Sequence, residues 1–172
     1  MSRKNTLQLE THLIKPRVTL EIQVGLNQRW NMKKKVMFLC TGNSCRSQMA
    51  EGLARALGED LIEAYSAGLL PSFVHPMAIE VMNEIGIDIL GQTSKGIDER
   101  LLNQMDIIIT LCGNAEESCP LTPPHIKRMH WPIEDPVSAA KVGETRLDAF
   151  RKARDEIKSR ILALIQDLKA KA

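Results

Sequence analysis

The chain has 172 residues, 44% of them hydrophobic, and a formal charge of +2. That is enough for one ordinary domain with a real core and a short appendage. Near-balanced charge without a dense basic stripe argues against a nucleic-acid partner, although one arginine in the right loop suffices to hold a small anion. Aromatic residues make up only 3%, so aliphatic residues and methionine must fill the core. No run approaches the roughly 20 apolar residues of a membrane helix, and no apolar segment near the start reads as a secretion signal. The expected location is the cytoplasm. Thiols stay reduced there, so Cys40, Cys45, Cys112 and Cys119 suggest a thiol or metal site rather than structural staples.

Residues 1–32 differ from the rest. Val18, Leu20, Ile22, Val24 and Leu26 alternate with polar residues, and Leu7, Leu9 and Leu13 repeat the period more weakly. This fits either a hairpin turning near Lys15-Pro16 or an extension outside the core domain. Met32, followed by three lysines, reads as the start of that domain, which then covers residues 33–172. A short buried strand is expected over Val36–Leu39 and a helix over Ser47–Leu57, closed by Gly58. Leu61–Ser66 reads as a strand, Pro76–Ile85 as a helix opened by Pro76 and closed by Gly86, and Asp98–Gln104 as a short helix. Asp106–Leu111 is the most hydrophobic strand, and Lys127–Trp131 a fourth. Leu147, Phe150, Ile157, Ile161, Leu164 and Leu168 share one face of a long amphipathic helix. Alternating strands and helices predict an α/β fold, three layers with a four-stranded parallel sheet and helices on both faces. Ligands of such sheets bind at the carboxyl ends of the strands. Cys40 and Cys112 each follow a strand and so reach the same edge.

The loop after the first strand, Thr41, Gly42, Asn43, Ser44, Cys45, Arg46 and Ser47, collects backbone N–H groups at a helix N-terminus. Dipole and donors together cradle an anion. Gly42 and Asn43 tolerate positive φ. Arg46 offers a planar fork of donors for a tetrahedral oxyanion, and Ser47 a further hydrogen bond to sulfur. Cys40 at the floor of the cradle is the expected nucleophile, its thiolate favoured by the same field. Zinc is the competing reading of four cysteines. Neither Cys-x4-Cys nor Cys-x6-Cys has ribbon spacing, His125 and His130 read as ordinary loop and strand residues, and His12 and His75 show no partner pattern. No metal site is therefore expected. A pure anion-binding module would explain the loop and leave Cys112 and Cys119 idle.

The stretch "CTGNSCRSQMAEG" (40–52) resembles the phosphate-binding loop of the low-molecular-weight tyrosine phosphatase superfamily, and in detail its thioredoxin-coupled arsenate reductases. The likeness continues through "YSAG" (65–68), "TLCGNAEESCP" (110–120), "PPH" (123–125), "HW" (130–131), "DP" (135–136) and "RDEI" (154–157), and covers about residues 33–168. The resemblance implies residues 41–47 as the oxyanion loop, Cys40 as nucleophile, Arg46 as clamp and Asp135 as acid. It also implies a thiol relay in which Cys112 attacks the arsenylated Cys40 and Cys119 then attacks Cys112. Reducing equivalents would come from thioredoxin or a glutaredoxin-type donor, with no bound cofactor, and the enzyme would be a monomer. A phosphatase of the superfamily would need only Cys40, Arg46 and Asp135. Glu134, beside Asp135, and Pro132 depart from the Gly-Phe-Asp of close relatives.

Many relatives hold potassium near this loop, and Asn43, Glu51 and Ser66 match positions of that site. Lys95 stands where an acidic ligand is expected, so its ammonium is expected to replace the cation by pairing with Glu51. Cys45 is expected to be incidental to the chemistry. Cys112 and Cys119 are seven residues apart, about 10 Å along a helix. A disulfide wants Cα atoms within about 7 Å, so a helical segment there must unwind to form the bond.

Overall fold

The computed structural model describes residues 33–139 and 143–171. The hairpin expected within residues 1–32 lies outside the described residues. The elements are β1 (Lys34–Cys40), α1 (Arg46–Leu57), β2 (Ile62–Gly68), α2 (Pro76–Asn83), α3 (Glu99–Leu102), β3 (Ile107–Thr110), α4 (Gly113–Glu117), β4 (Lys127–His130) and α5 (Arg146–Ala170). All strand pairs are parallel, in the order β2-β1-β3-β4. The α/β reading and the four strands stand.

Alternation along the strands builds two cores. Val36, Phe38, Cys40, Ile107 and Ile109 face one side, with Met49, Leu53, Val81, Phe150, Ile157 and Ile161 from α1, α2 and α5. Met37, Leu39 and Ile108 face the other side, with Leu102, Met105, Ala115 and Ile126. A central strand buried on both faces must be apolar throughout, which is why β1 and β3 read as continuous hydrophobic runs. Each large side chain so buried contributes roughly 1.5–3 kcal/mol.

Helix ends moved where capping decided them. Asp98 is the N-cap of α3, its carboxylate accepting from the Arg100 and Leu101 N–H groups, so the helix is shorter than Asp98–Gln104. Helix α2 stops at Asn83, and Gly86 beyond it has φ +75°. Its N-cap is His75, whose Nδ1 accepts from Met77 N–H at 3.1 Å while the ring lies against Phe150, centroids 4.8 Å apart. No pattern around His75 pointed to this partner. Burial first, then Arg146, lowers the His75 pKa. Its neutral, capping form therefore stabilises the fold fully above its unfolded value near 6.5, and that stability fades as pH falls through the folded value. Helix α5 opens with a capping box between Thr145 and Asp148.

Candidate active site

All four strands deliver their carboxyl ends to one edge. β1 ends on Cys40, β2 on Gly68, β3 leads through Leu111 to Cys112, and β4 leads into residues 131–138.

The loop behind Cys40 is held by one asparagine. Asn43 is fully buried with φ +44°, and its amide makes every bond it can. Nδ2 donates to Ser47 Oγ at 2.9 Å and to Ser66 Oγ at 2.8 Å. Oδ1 accepts from Gln48 Nε2 at 2.9 Å and from the Lys95 N–H at 2.7 Å. A backbone N–H can only donate, which fixes the orientation of the amide. Ser47 Oγ, accepting from Asn43, lies 2.8 Å from Cys40 Sγ. A Cys40 thiolate would thus receive a hydrogen bond from a serine held in place by Asn43. Ser66 likewise passes its proton to Glu51, whose carboxylate is 1% exposed and also pairs with Arg55 and, at 3.4 Å, with Lys95 Nζ.

Gln48 was missed by the sequence reading. Its amide also donates to the Asn43 carbonyl and, at 3.0 Å, to Thr93 O, while Gln92 Nε2 donates to its Oε1 at 2.6 Å. Ser94 Oγ donates to Gly42 O at 3.0 Å. Residues 92–95 therefore brace the outside of the loop. A pairing of buried Gln48 with half-buried Gln92 is recognisable only once its partners are assembled, and neither residue carries a periodic signal.

Arg46 donates through Nη1 to Ile133 O at 3.0 Å and faces Asp135 Oδ1 through Nη2 at 3.5 Å. Asp135 Oδ2 accepts from Ser138 Oγ at 3.2 Å. The expected clamp and the expected acid therefore meet, while Glu134 stays exposed. Thr41 Oγ1 lies 3.4 Å from Cys112 Sγ, so the second cysteine touches the loop of the first. Cys112 and Cys119 bracket α4, both pack against the smaller core, and all four cysteines are free thiols. The segment between them is thus helical in the reduced state. Cys45 is buried, and that burial pushes its thiol up to about 12, so it stays protonated at neutral pH. Among the described residues, no three His, Cys, Asp or Glu side chains converge as metal ligands would.

The family described as low molecular weight phosphotyrosine protein phosphatase matches residues 35–172. The chain belongs to that family. A curated relative from Shouchella clausii named arsenate reductase is 52% identical over 75% of this chain and 93% of its own. The solved structure of an arsenate reductase in the phosphate binding state is 43% identical, with a TM-score of 0.65, covering 78% of this chain and 98% of that one. A thioredoxin-dependent arsenate reductase from Corynebacterium glutamicum is 25% identical, with a TM-score of 0.68, covering 90% of this chain and 71% of that one. The family and the fold agree with what "CTGNSCRSQMAEG" implied. Among the described residues, no helix is long and apolar enough to cross a membrane.

Proposed function

We propose that this chain is an arsenate reductase, working in the cytoplasm as a monomer and regenerated by thioredoxin. The observation that carries the reading is Cys112 at the loop of Cys40, since a phosphatase needs no second thiol there. Arsenate binds the N–H groups of residues 41–47 and the Arg46 guanidinium. Cys40 Sγ attacks arsenic, and an oxygen leaves as water with a proton from Asp135. Cys112 Sγ then attacks Cys40 Sγ. The S–S bond forms, the As–S bond breaks, and its electron pair stays on arsenic, which departs as arsenite. Cys119 attacks Cys112 and releases the Cys40 thiolate, and a thioredoxin dithiol reduces the Cys112–Cys119 disulfide. Cys40 and Cys112 supply the two electrons that arsenic gains, the Cys119 exchange only moves the disulfide, and the thioredoxin dithiol restores the two electrons. A glutaredoxin-type donor would meet the same electron demand.

The test is arsenate-dependent NADPH oxidation coupled through thioredoxin and its reductase, run beside hydrolysis of a phosphotyrosine analogue. Arsenate-dependent oxidation is expected to dominate. Hydrolysis alone, with no oxidation, would replace this reading with the second one, a phosphatase using Cys40, Arg46 and Asp135, which the family's own description favours.

The reading includes independence from potassium. Both oxygens of Glu51 already face donors, Arg55 at one and Lys95 with Ser66 at the other. Asn43 turns its N–H donors, not its oxygen, toward Ser66. These residues do not fit a bound cation, and Lys95 supplies the charge one would bring. Exchanging potassium for sodium at constant ionic strength is expected to leave both turnover and melting temperature unchanged. A requirement for potassium would refute this.

A further inference from the structure

Helix α4 stands between the two cysteines of the second exchange, and one carboxylate ties it to the sheet. Thr110, the last residue of β3, is 1% exposed, and strand alternation turns it to the α4 side with Ile108. Its Oγ1 lies 2.5 Å from Glu116 Oε2 and 2.8 Å from His130 Nδ1. A hydroxyl has one proton to give. The ionised carboxylate is the stronger acceptor, so Thr110 donates to Glu116 and accepts from His130 Nδ1–H. Arg128 Nη2 and His130 Nδ1 each lie 3.9 Å from the same Glu116 oxygen. Glu116 therefore fastens α4 to both β3 and β4, on ground the oxyanion loop does not use.

The same charge reaches Cys119. Burial is the main influence raising the Cys119 thiol; Arg128 opposes it and Glu116 adds to it. While α4 is docked, it is chiefly burial that disfavours the Cys119 thiolate, with Glu116 only partly offsetting Arg128.

We propose that Glu116 is a positioning residue for the second thiol exchange: anchored on Thr110 and His130, it keeps α4 wound and holds Cys119 in reserve until Cys112 is oxidised. This rests on the cysteine relay of the proposed function. The physical reason is distance. The turns of α4, Gly113–Glu117, lie between the two cysteines, and a fully helical path over seven residues would set their Cα atoms about 10 Å apart, whereas a disulfide needs less than about 7 Å. Closing the bond must break the turn that the Glu116 N–H makes with Cys112 O at 3.1 Å, and the Thr110 anchor with it. The latch stabilises the dithiol and not the disulfide, so it makes the Cys112–Cys119 couple more oxidising. The spare thiols then resist premature oxidation, and reduction by thioredoxin gains the re-formed latch.

The experiment is a glutathione redox titration of the full chain in a Cys40→Ser background, so that Cys112–Cys119 is the couple observed. The parent, Glu116→Ala and Glu116→Gln are compared, with alkylation of Cys119 followed in the reduced form. Glu116 is partly exposed, with 41% of its side chain open to solvent, so neither change removes core packing. Glu116→Ala is expected to shift the equilibrium about tenfold toward the disulfide, which for two electrons is ~30 mV more negative. Glu116→Gln keeps an acceptor for Thr110 but no charge. It is expected to recover most of the potential while Cys119 is alkylated severalfold faster than in the parent. An unchanged potential in Glu116→Ala, with the disulfide still forming, overturns the latch and leaves the relay standing. A parent that forms no Cys112–Cys119 disulfide at any glutathione ratio overturns the relay and the latch with it.

Discussion

Replacing Cys119 with Ser is expected to leave one arsenite per enzyme and then stop. Cys40 still attacks arsenic, and Cys112, held beside Thr41, still resolves the adduct. The resulting Cys40–Cys112 disulfide then has no third thiol to open it. Cys112→Ser is expected to release no arsenite at all, because nothing attacks the Cys40 sulfur. Steady-state turnover in either variant should fall by at least a thousandfold, roughly 4 kcal/mol of barrier. Binding of phosphate, a non-reducible analogue, should stay within about twofold in both, since the loop and Arg46 are untouched. Quenched-flow measurement of arsenite per enzyme, with phosphate titration beside it, separates the two variants. Steady turnover surviving both substitutions would exclude the three-cysteine relay.

Gly68→Ala is expected to cost more activity than stability. A Cβ at Gly68 would sit 2.5 Å from the Asn43 nitrogen, 2.9 Å from Asn43 Cβ and 2.9 Å from the Gly42 carbonyl carbon. Those atoms are the spine of the oxyanion loop and cannot swing aside like the tip of a side chain. The strain of such overpacking is about 1–3 kcal/mol, within reach of a folded protein. The loop yields first, and a displacement near 1 Å at the reacting centre costs on the order of a hundredfold in kcat/KM. Gly91→Ala is the control, with no atom within 4 Å of the added carbon. Thermal melting and coupled turnover on both variants provide the comparison. Gly68→Ala activity within twofold of the parent would show that the loop accommodates the methyl group.

The local pieces were legible because their causes are local. Continuous apolar runs marked β1 and β3, and the 3.6-residue period marked α1 and α5. Gly42 and Asn43 before a helical pattern marked the anion loop, and Asn43 does take positive φ. Ends were misplaced where a cap outweighed the pattern, as at Asp98. What holds the loop was not legible. Gln48, Gln92 and Ser94 act through partners more than 40 residues away, and polar side chains leave no period when their partners are elsewhere in the chain. The same holds for Thr110, Glu116 and His130, whose meeting depends on β4 lying beside β3.

A strand, a Gly-Asn loop and a helix around Cys40 can be read from neighbouring residues alone, and so can the arrival of Cys112 at the same sheet edge. That the two sites touch depends on the assembled sheet. With the order β2-β1-β3-β4, β1 is next to β3, and Thr41 meets Cys112. One intervening strand would have separated them by roughly 10 Å, since neighbouring strands lie about 4.8 Å apart. Strand order is set by how the two cores close over both faces, a property of the assembled chain that no local stretch encodes.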